Sequence, residues 1–226
     1  MTPSLSIVIP VLNEEPRITS ALRALAPLRD QGHEVLVCDG GSTDATLARC
    51  AGLADAVLHS PPGRARQMNA GAAAARGEVL LFLHADTTLP GDAPAAIARA
   101  LAQGAVWGRF DVDIEGRARM LPVIAAFMNR RSRWTGIATG DQAMFVRREV
   151  FDSVGGFLDQ PLMEDIELSR RLCRLGHPPA CLRQRVRTSG RRWDERGAWR
   201  TILLMWRLRW RYWRGTPAET LARMYR

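Results

Sequence analysis

LSIVIPVLNEEPRITSALRAL, residues 5–25, decides the fold class. It opens as a strand-like apolar run over 5–9, passes through a polar turn, PVLNEE (10–15), and enters a helical stretch over 17–25. A strand feeding a helix through a short turn is the first half of a βαβ unit. The turn has no G-x-G-x-x-G spacing, so it lacks the backbone approach that a dinucleotide pyrophosphate needs, and a nicotinamide enzyme is not expected.

The same rhythm continues outward. Apolar runs at 34–38, 56–58 and 79–83 alternate with helical stretches at 45–51, 67–75 and 92–103. That alternation predicts an α/β fold, a mixed and mainly parallel sheet flanked by helices. Residues 105–114 alternate like a more exposed strand, and beyond them the rhythm weakens. A helix near 117–131, a strand near 142–147 and a helix over 165–175 suggest a second half that supplies the acceptor side. At 226 residues and 46% hydrophobic content the chain can bury one substantial core but not two full domains. The expected division is one domain over 1–189 and a basic helical tail over 190–226.

The charge distribution sharpens that division. All 32 basic residues are Arg, which base composition of the genome explains. Residues 1–182 carry 19 Arg against 20 Asp and Glu, whereas 183–226 carry 13 Arg against 3 acids. A nucleic-acid domain spreads its basic residues over a whole face, so the near-neutral body excludes nucleic acid as the expected partner. Cys38, Cys50, Cys173 and Cys181 show no C-x-x-C spacing and read as free thiols. The start of the chain runs directly into a strand without a basic leader, and no apolar stretch reaches the roughly 20 residues of a membrane span. A cytoplasmic chain is expected, with the inner face of the membrane as a peripheral site.

Four motifs carry chemistry, three of them at strand ends, where open α/β sheets bind ligands. PVLNEE is the first. In DGGSTDAT (39–46), the Asp39 carboxylate can accept from a base or ribose, Gly40 and Gly41 permit close approach, and Ser42, Thr43 and Asp44 read as a turn and helix cap. HADT (84–87) follows the apolar VLLFL run, so Asp86 stands at the end of a buried strand. An acid there is costly unless paired, and Mg²⁺ or Mn²⁺ bridging a diphosphate is the natural partner. His84 reads equally as a second ligand or as a satisfied core histidine. MEDIEL (163–168) puts Glu164, Asp165 and Glu167 in a first helical turn, as a dipole-favoured helix start or with one carboxylate in the cleft as a base. Between these, PPGRARQMNAGA (61–72) opens a helix with Arg64 and Arg66 placed for phosphate, or simply solvated, and Gly71 reads as close helix packing.

With these motifs in order, residues 4–185 resemble a family 2 glycosyltransferase of the GT-A fold, and most of all its radical-SAM/selenodomain-associated transferase 2 branch. The resemblance implies a nucleotide-sugar donor held by Pro10, Val11, Asn13, Glu14, Asp39, Gly41, Arg64, Arg66, Asn69 and Ala85. It implies Mg²⁺ or Mn²⁺ on Asp86, the second acid of a D-x-D motif whose first acid is here His84. It further implies Asp165 as catalytic base with Glu164 beside it, and Gly140, Asp141 and Gln142 on the acceptor side. The transfer it implies is an inverting single displacement onto an acceptor hydroxyl. A sugar-phosphate nucleotidyltransferase is the alternative enzyme, but its Gly-rich, basic first turn is missing.

The tail reads separately. Five of the seven Trp lie between 193 and 213. On a helical wheel Trp199, Ile202, Leu203, Trp206, Trp210 and Trp213 form one stripe, Leu204, Met205, Leu208 and Tyr212 a second, and Arg200, Arg207, Arg211 and Arg214 a seam between them. One face is expected on the body and the other against an anionic membrane surface or a homodimer partner. A non-catalytic membrane or nucleic-acid adaptor built on this tail would leave Asp39, Asp86 and Asp165 without a purpose.

Overall fold

Alternation in the first strand, β1 (Leu5–Val11), sends Leu5, Ile7, Ile9 and Val11 to one face of a sheet and Val8 to the other, as the two-residue period of a strand requires. Both faces are covered. The computed structural model, which describes residues 3–225, continues with α1 (Glu15–Asp30), β2 (Glu34–Asp39), α2 (Thr46–Cys50), β3 (Ala56–His59), α3 (Arg64–Ala74), β4 (Val79–Phe82), β5 (Thr87–Thr88) and α4 (Ala93–Ala102). The second half comprises β6 (Trp107–Glu115), α5 (Leu121–Thr135), a 3₁₀ turn (Gly140–Gln142), β7 (Met144–Arg147), α6 (Arg148–Ser153), α7 (Glu164–Arg174), β8 (Ala180–Ser189), α8 (Arg191–Arg196), α9 (Ala198–Trp213) and α10 (Ala218–Tyr225).

The eight strands lie in the order β3-β2-β1-β4-β7-β6-β8-β5. The β3 to β4 half is parallel, β7 runs antiparallel to both β4 and β6, and β8 returns parallel to β6. This is the mixed, mainly parallel sheet expected. On one face α1, α4 and α5 bury Ile18, Leu22, Ile97 and Ile124, and on the other α3, α6 and α7 bury Met68, Phe151 and Leu172. Close packing of α3 depends on Gly71, where a Cβ would lie 2.4 Å from a Val8 methyl and 2.7 Å from Cys38 Sγ. All four cysteines are free, and burial pushes the Cys38 thiol up to about 12.

Two elements differ from the sequence expectation. β6 is buried along nearly its whole length rather than exposed, because β7 and β8 pair with its two edges and α5 covers it. Its Arg109 is fully buried, donating to Ser132 Oγ at 3.0 Å, to the Asn129 carbonyl at 3.0 Å and to Asp111. The ten-residue β8, which the sequence reading does not anticipate, closes the body just before residue 190, where the tail is expected to begin.

The tail docks on the body. Asp194 in α8 accepts the main-chain N–H groups of Arg117 and Ala118 at 2.9 Å. Leu208 of α9 and Leu221 of α10 are buried with Met163 and Ile166, and Leu204, Met205 and Tyr212 pack around them. Of the two faces read on the helical wheel, the inward one is therefore Leu204, Met205, Leu208 and Tyr212. Ile202 differs, turning toward the main core while its stripe-mates Trp199, Leu203, Trp206, Trp210 and Trp213 stay exposed.

Candidate active site

The turns after β1 and β2 are laced together. Asn13, at φ 54°, donates its N–H to Ser42 Oγ at 2.9 Å and accepts the Thr43 N–H at 2.8 Å. The Glu14 N–H reaches Thr46 Oγ1 at 2.8 Å, and the Glu15 N–H reaches Asp44 Oδ2 at 3.2 Å. Asp39, buried at the end of β2, accepts the N–H groups of Gly41 and Ser42 at 2.9 and 3.1 Å, so its carboxylate builds the turn. Gly41 sits at φ +97°, where a side chain is strained. Beneath both turns Gln67 of α3 donates to the carbonyls of Val11 and Cys38 at 2.6 and 2.8 Å. Pro10, Val11, Asn13, Glu14, Asp39 and Gly41 thus lie together at the carboxyl ends of β1 and β2.

A cavity of about 240 Å³ opens beyond β4, lined by Arg64, His84, Asp86, Gly140, Asp141, Glu164 and Asp165. The main-chain N–H of Gly140 donates to Asp165 Oδ2 at 2.7 Å, and that of Ile166 to Oδ1 at 2.7 Å. Burial and the neighbouring Glu164 charge raise the Asp165 carboxyl to about 6, outweighing these two donors and Arg64, which favour the ionised form. Arg64 Nη1 stands 3.5 Å from Glu164 Oε1. Asp141, which accepts from Thr139 Oγ1 at 2.5 Å, is also raised by burial. Arg131 of α5 has buried Nε and Nη2 atoms with no hydrogen-bond partner among the described residues; burial lowers it, while Asp141 and Asp165 act to raise it.

His84 presents a buried Nε2 with no hydrogen-bond partner among the described residues. Burial pushes it down to about 3, so the ring is neutral. A Cβ on Gly140 would lie 2.6 Å from that nitrogen, which makes glycine the residue the contact requires. The Asp86 carboxylate, on the same wall, accepts a hydrogen bond only from Thr87 Oγ1, at 3.3 Å, among the described residues. Those residues contain no cluster of three or more His, Cys, Asp or Glu side chains able to cage a metal. A divalent cation that keeps water and takes diphosphate oxygens needs only one or two protein carboxylates, and Asp86 fits that need.

Other residues singled out from the sequence take structural partners. Arg66 pairs with Asp159 at 2.8 Å, Asn69 exchanges hydrogen bonds with the Phe157 main chain, and Gln142 is buried in the capping box of the 3₁₀ turn. Ala85 is buried between His84 and Asp86. The sequence reading missed the tail's share of the cavity, to which Arg191, Arg192, Thr201, Met205 and Arg209 contribute. Burial and nearby Arg64 lower the Arg192 guanidinium while Asp86 acts to raise it. Gln67 was missed as well, being a lone amide within a helical pattern.

Residues 6–155 match the family model described as glycosyl transferase family 2. A probable glycosyltransferase of Bacillus subtilis, YdaM, is 28% identical over 205 residues, covering 77% of this chain and 48% of that protein. Glucosyl-3-phosphoglycerate synthase of Mycobacterium tuberculosis is 33% identical over 97 residues, 38% of this chain and 30% of the synthase. The chain therefore spans about half the length of these relatives or less. Among solved structures, the mannosyltransferase PcManGT of Pyrobaculum calidifontis, in complex with GDP-Man and Mn²⁺, superposes with a TM-score of 0.66 at 20% identity, over 92% of this chain and 61% of that one. The Mycobacterium tuberculosis synthase with Mn²⁺, UDP and glucosyl-3-phosphoglycerate gives 0.58 at 24% identity, over 87% and 75%. The GT-A fold is thus shared, and with the family model spanning most of its sheet the chain belongs to glycosyl transferase family 2.

Proposed function

We propose that this chain transfers a hexosyl group from a nucleoside-diphosphate sugar to an acceptor hydroxyl with inversion. The observation that carries the reading is one cavity lined by two carboxylates with different surroundings. Asp165 is raised toward neutrality, whereas Asp86 has little protein partnership. Separated carboxylates of this kind suit different jobs, one for a proton and one for a cation.

Asp165 takes the proton of the acceptor hydroxyl as its oxygen attacks the anomeric carbon. The bond from that carbon to the diphosphate breaks on the opposite face, and its electron pair leaves with the nucleoside diphosphate. Arg64 and Arg192, both on the cavity, stabilise the charge that develops there. A Mg²⁺ or Mn²⁺ would be held by Asp86, with His84 as the second candidate ligand, and would supply Lewis-acid neutralisation of the diphosphate. The divalent cations and nucleotides bound by the mannosyltransferase and the synthase support this choice. The laced turns that carry Pro10, Val11, Asn13, Glu14, Asp39 and Gly41 hold the nucleoside, and Ala85, Arg66 and Asn69 complete the donor-binding set. Gly140, Asp141 and Gln142 form the acceptor side.

In the same reading residues 1–189 are the transferase domain and 190–226 an appended tail that completes the cavity wall. Motif order and spacing support placement in the radical-SAM/selenodomain-associated branch. The chain works in the cytoplasm, with the tail's outward face as its contact to a membrane surface or a second copy. Release of nucleoside diphosphate from a panel of UDP- and GDP-sugars with Mg²⁺ or Mn²⁺, with product anomers read by NMR, tests the reaction. No release from any donor with any acceptor offered, hydroxylated lipids included, would refute it.

A further inference from the structure

The exposed stripe of α9 has a neighbour that the tail sequence does not reveal. On α5, Val123, Phe127, Arg130 and Trp134 recur at helical spacing, and all four are exposed, Trp134 by 79%. Phe127 stacks on Trp206 at 6.0 Å between ring centroids, which joins this stripe to Trp199, Leu203, Trp206, Trp210 and Trp213. Each of those five α9 residues is more than half exposed. Two helices therefore present exposed apolar stripes that meet at Phe127 and Trp206, outside all three hydrophobic clusters.

The charge on these helices selects the occupant. α5 and α9 together carry seven Arg and no Asp or Glu. Arg130, Arg200 and Arg207 are exposed, as is Arg214 just past α9, whose guanidinium lies 5.2 Å from the Trp210 ring centre. A second copy meeting this face with its own would bring acid-free cationic helices together, which like-charge repulsion opposes. An anionic bilayer offers the opposite charge, and its interfacial zone is where Trp rings and the long stems of Arg are both satisfied. Among the described residues no helix is long and apolar enough to cross a membrane. The geometry fits a helix lying in the surface plane, about 24 Å along at the usual helical rise.

We propose that the joined faces of α5 and α9 dock this chain onto the interface of an anionic bilayer. This deepens the transferase reading, on which its consequence for the acceptor rests. Thr201, Met205 and Arg209 line the catalytic cavity from the other side of α9, so docking holds the acceptor side about one helix diameter, ~10 Å, from the bilayer. Acceptors carried at that surface are brought to the base.

Co-sedimentation of the whole chain with phosphatidylcholine vesicles, with and without phosphatidylglycerol, tests the docking. Binding to the anionic vesicles only, weakened by salt, is expected, together with quenching of Trp emission by lipids brominated on the upper acyl chain. The paired substitution Trp206→Gln and Trp210→Gln should lower partitioning ~10-fold or more through the lost apolar contact, and Arg200→Gln with Arg207→Gln should remove the preference for anionic lipid. Equal binding by the Trp variant, no binding of wild type at low salt, or a concentration-dependent dimer that Trp206→Gln dissolves without any vesicle binding would each overturn it. Because these residues lie off the cavity, nucleotide titration into the same preparations distinguishes loss of docking from failure of the transferase reading.

Discussion

The main-chain N–H of Gly140 donates to Oδ2 of Asp165 at 2.7 Å, while the absent side chain of Gly140 leaves room for the enclosed Nε2 of His84. One glycine thus fixes the proposed base and admits its neutral neighbour. Replacing it tests both functions of that position. Gly140→Ala would set a methyl 2.6 Å from His84 Nε2, and the turn must shift to relieve it. A shift of this kind at a reacting group costs up to ~100-fold in rate. Steady-state kinetics of Gly140→Ala should therefore show kcat falling with the circular dichroism spectrum unchanged, and wild-type kcat would detach Gly140 from the site.

Asp165→Asn keeps the shape of the side chain and removes its basicity. Turnover is expected to fall by ~100-fold or more, the usual range for loss of a general base, with donor affinity retained. An unaltered kcat would remove Asp165 from the role.

The pH dependence follows from the direction of the Asp165 shift. The carboxylate acts as base only when ionised, so kcat should rise as pH passes through about 6 and level off above it. Stability runs the other way. A folded value of about 6 above the ordinary 3.8 means that the contribution is complete below 3.8 and lost as pH rises through about 6. Asp165→Asn should consequently melt higher than wild type well above pH 6 and lose that advantage in acid. A profile flat through this region would contradict the assignment of Asp165.

Gln67 tests how the turns after β1 and β2 are held together. Its amide satisfies the carbonyls of both Val11 and Cys38 from a buried position. Gln67→Ala leaves those acceptors without their donor, at a cost of ~1–3 kcal/mol. Urea unfolding should show the midpoint lowered at unchanged slope, with weaker nucleotide binding as the two turns loosen.

The parts of the fold legible in the sequence were those with local periodicity. The βαβ half announced itself because β1, β2 and β4 are apolar runs ended by polar turns. β8 was hidden because Arg183, Arg185 and Arg187 alternate along it, and a strand with a charged outer face resembles the start of a basic tail. β6 read as exposed because Arg109, Asp111 and Asp113 interrupt it, although Arg109 and Asp111 are buried as partners of one another. Asp165 and Asp86 were recognisable by motif, whereas Gln67, Arg131 and Arg192 meet the site only through long-range packing that no local pattern records. The inner face of α9 was visible as a wheel, but its union with α5 through Phe127 and Trp206 was not.

Calorimetric titration of UDP and GDP with and without Mn²⁺, into wild type and Asp86→Ala, addresses the donor site most directly. Binding of one nucleotide that requires the metal and disappears in Asp86→Ala is the expected result. Nucleotide binding that is indifferent to both Mn²⁺ and Asp86, or no binding of either nucleotide, would contradict a metal-assisted nucleotide-sugar site at the end of β4.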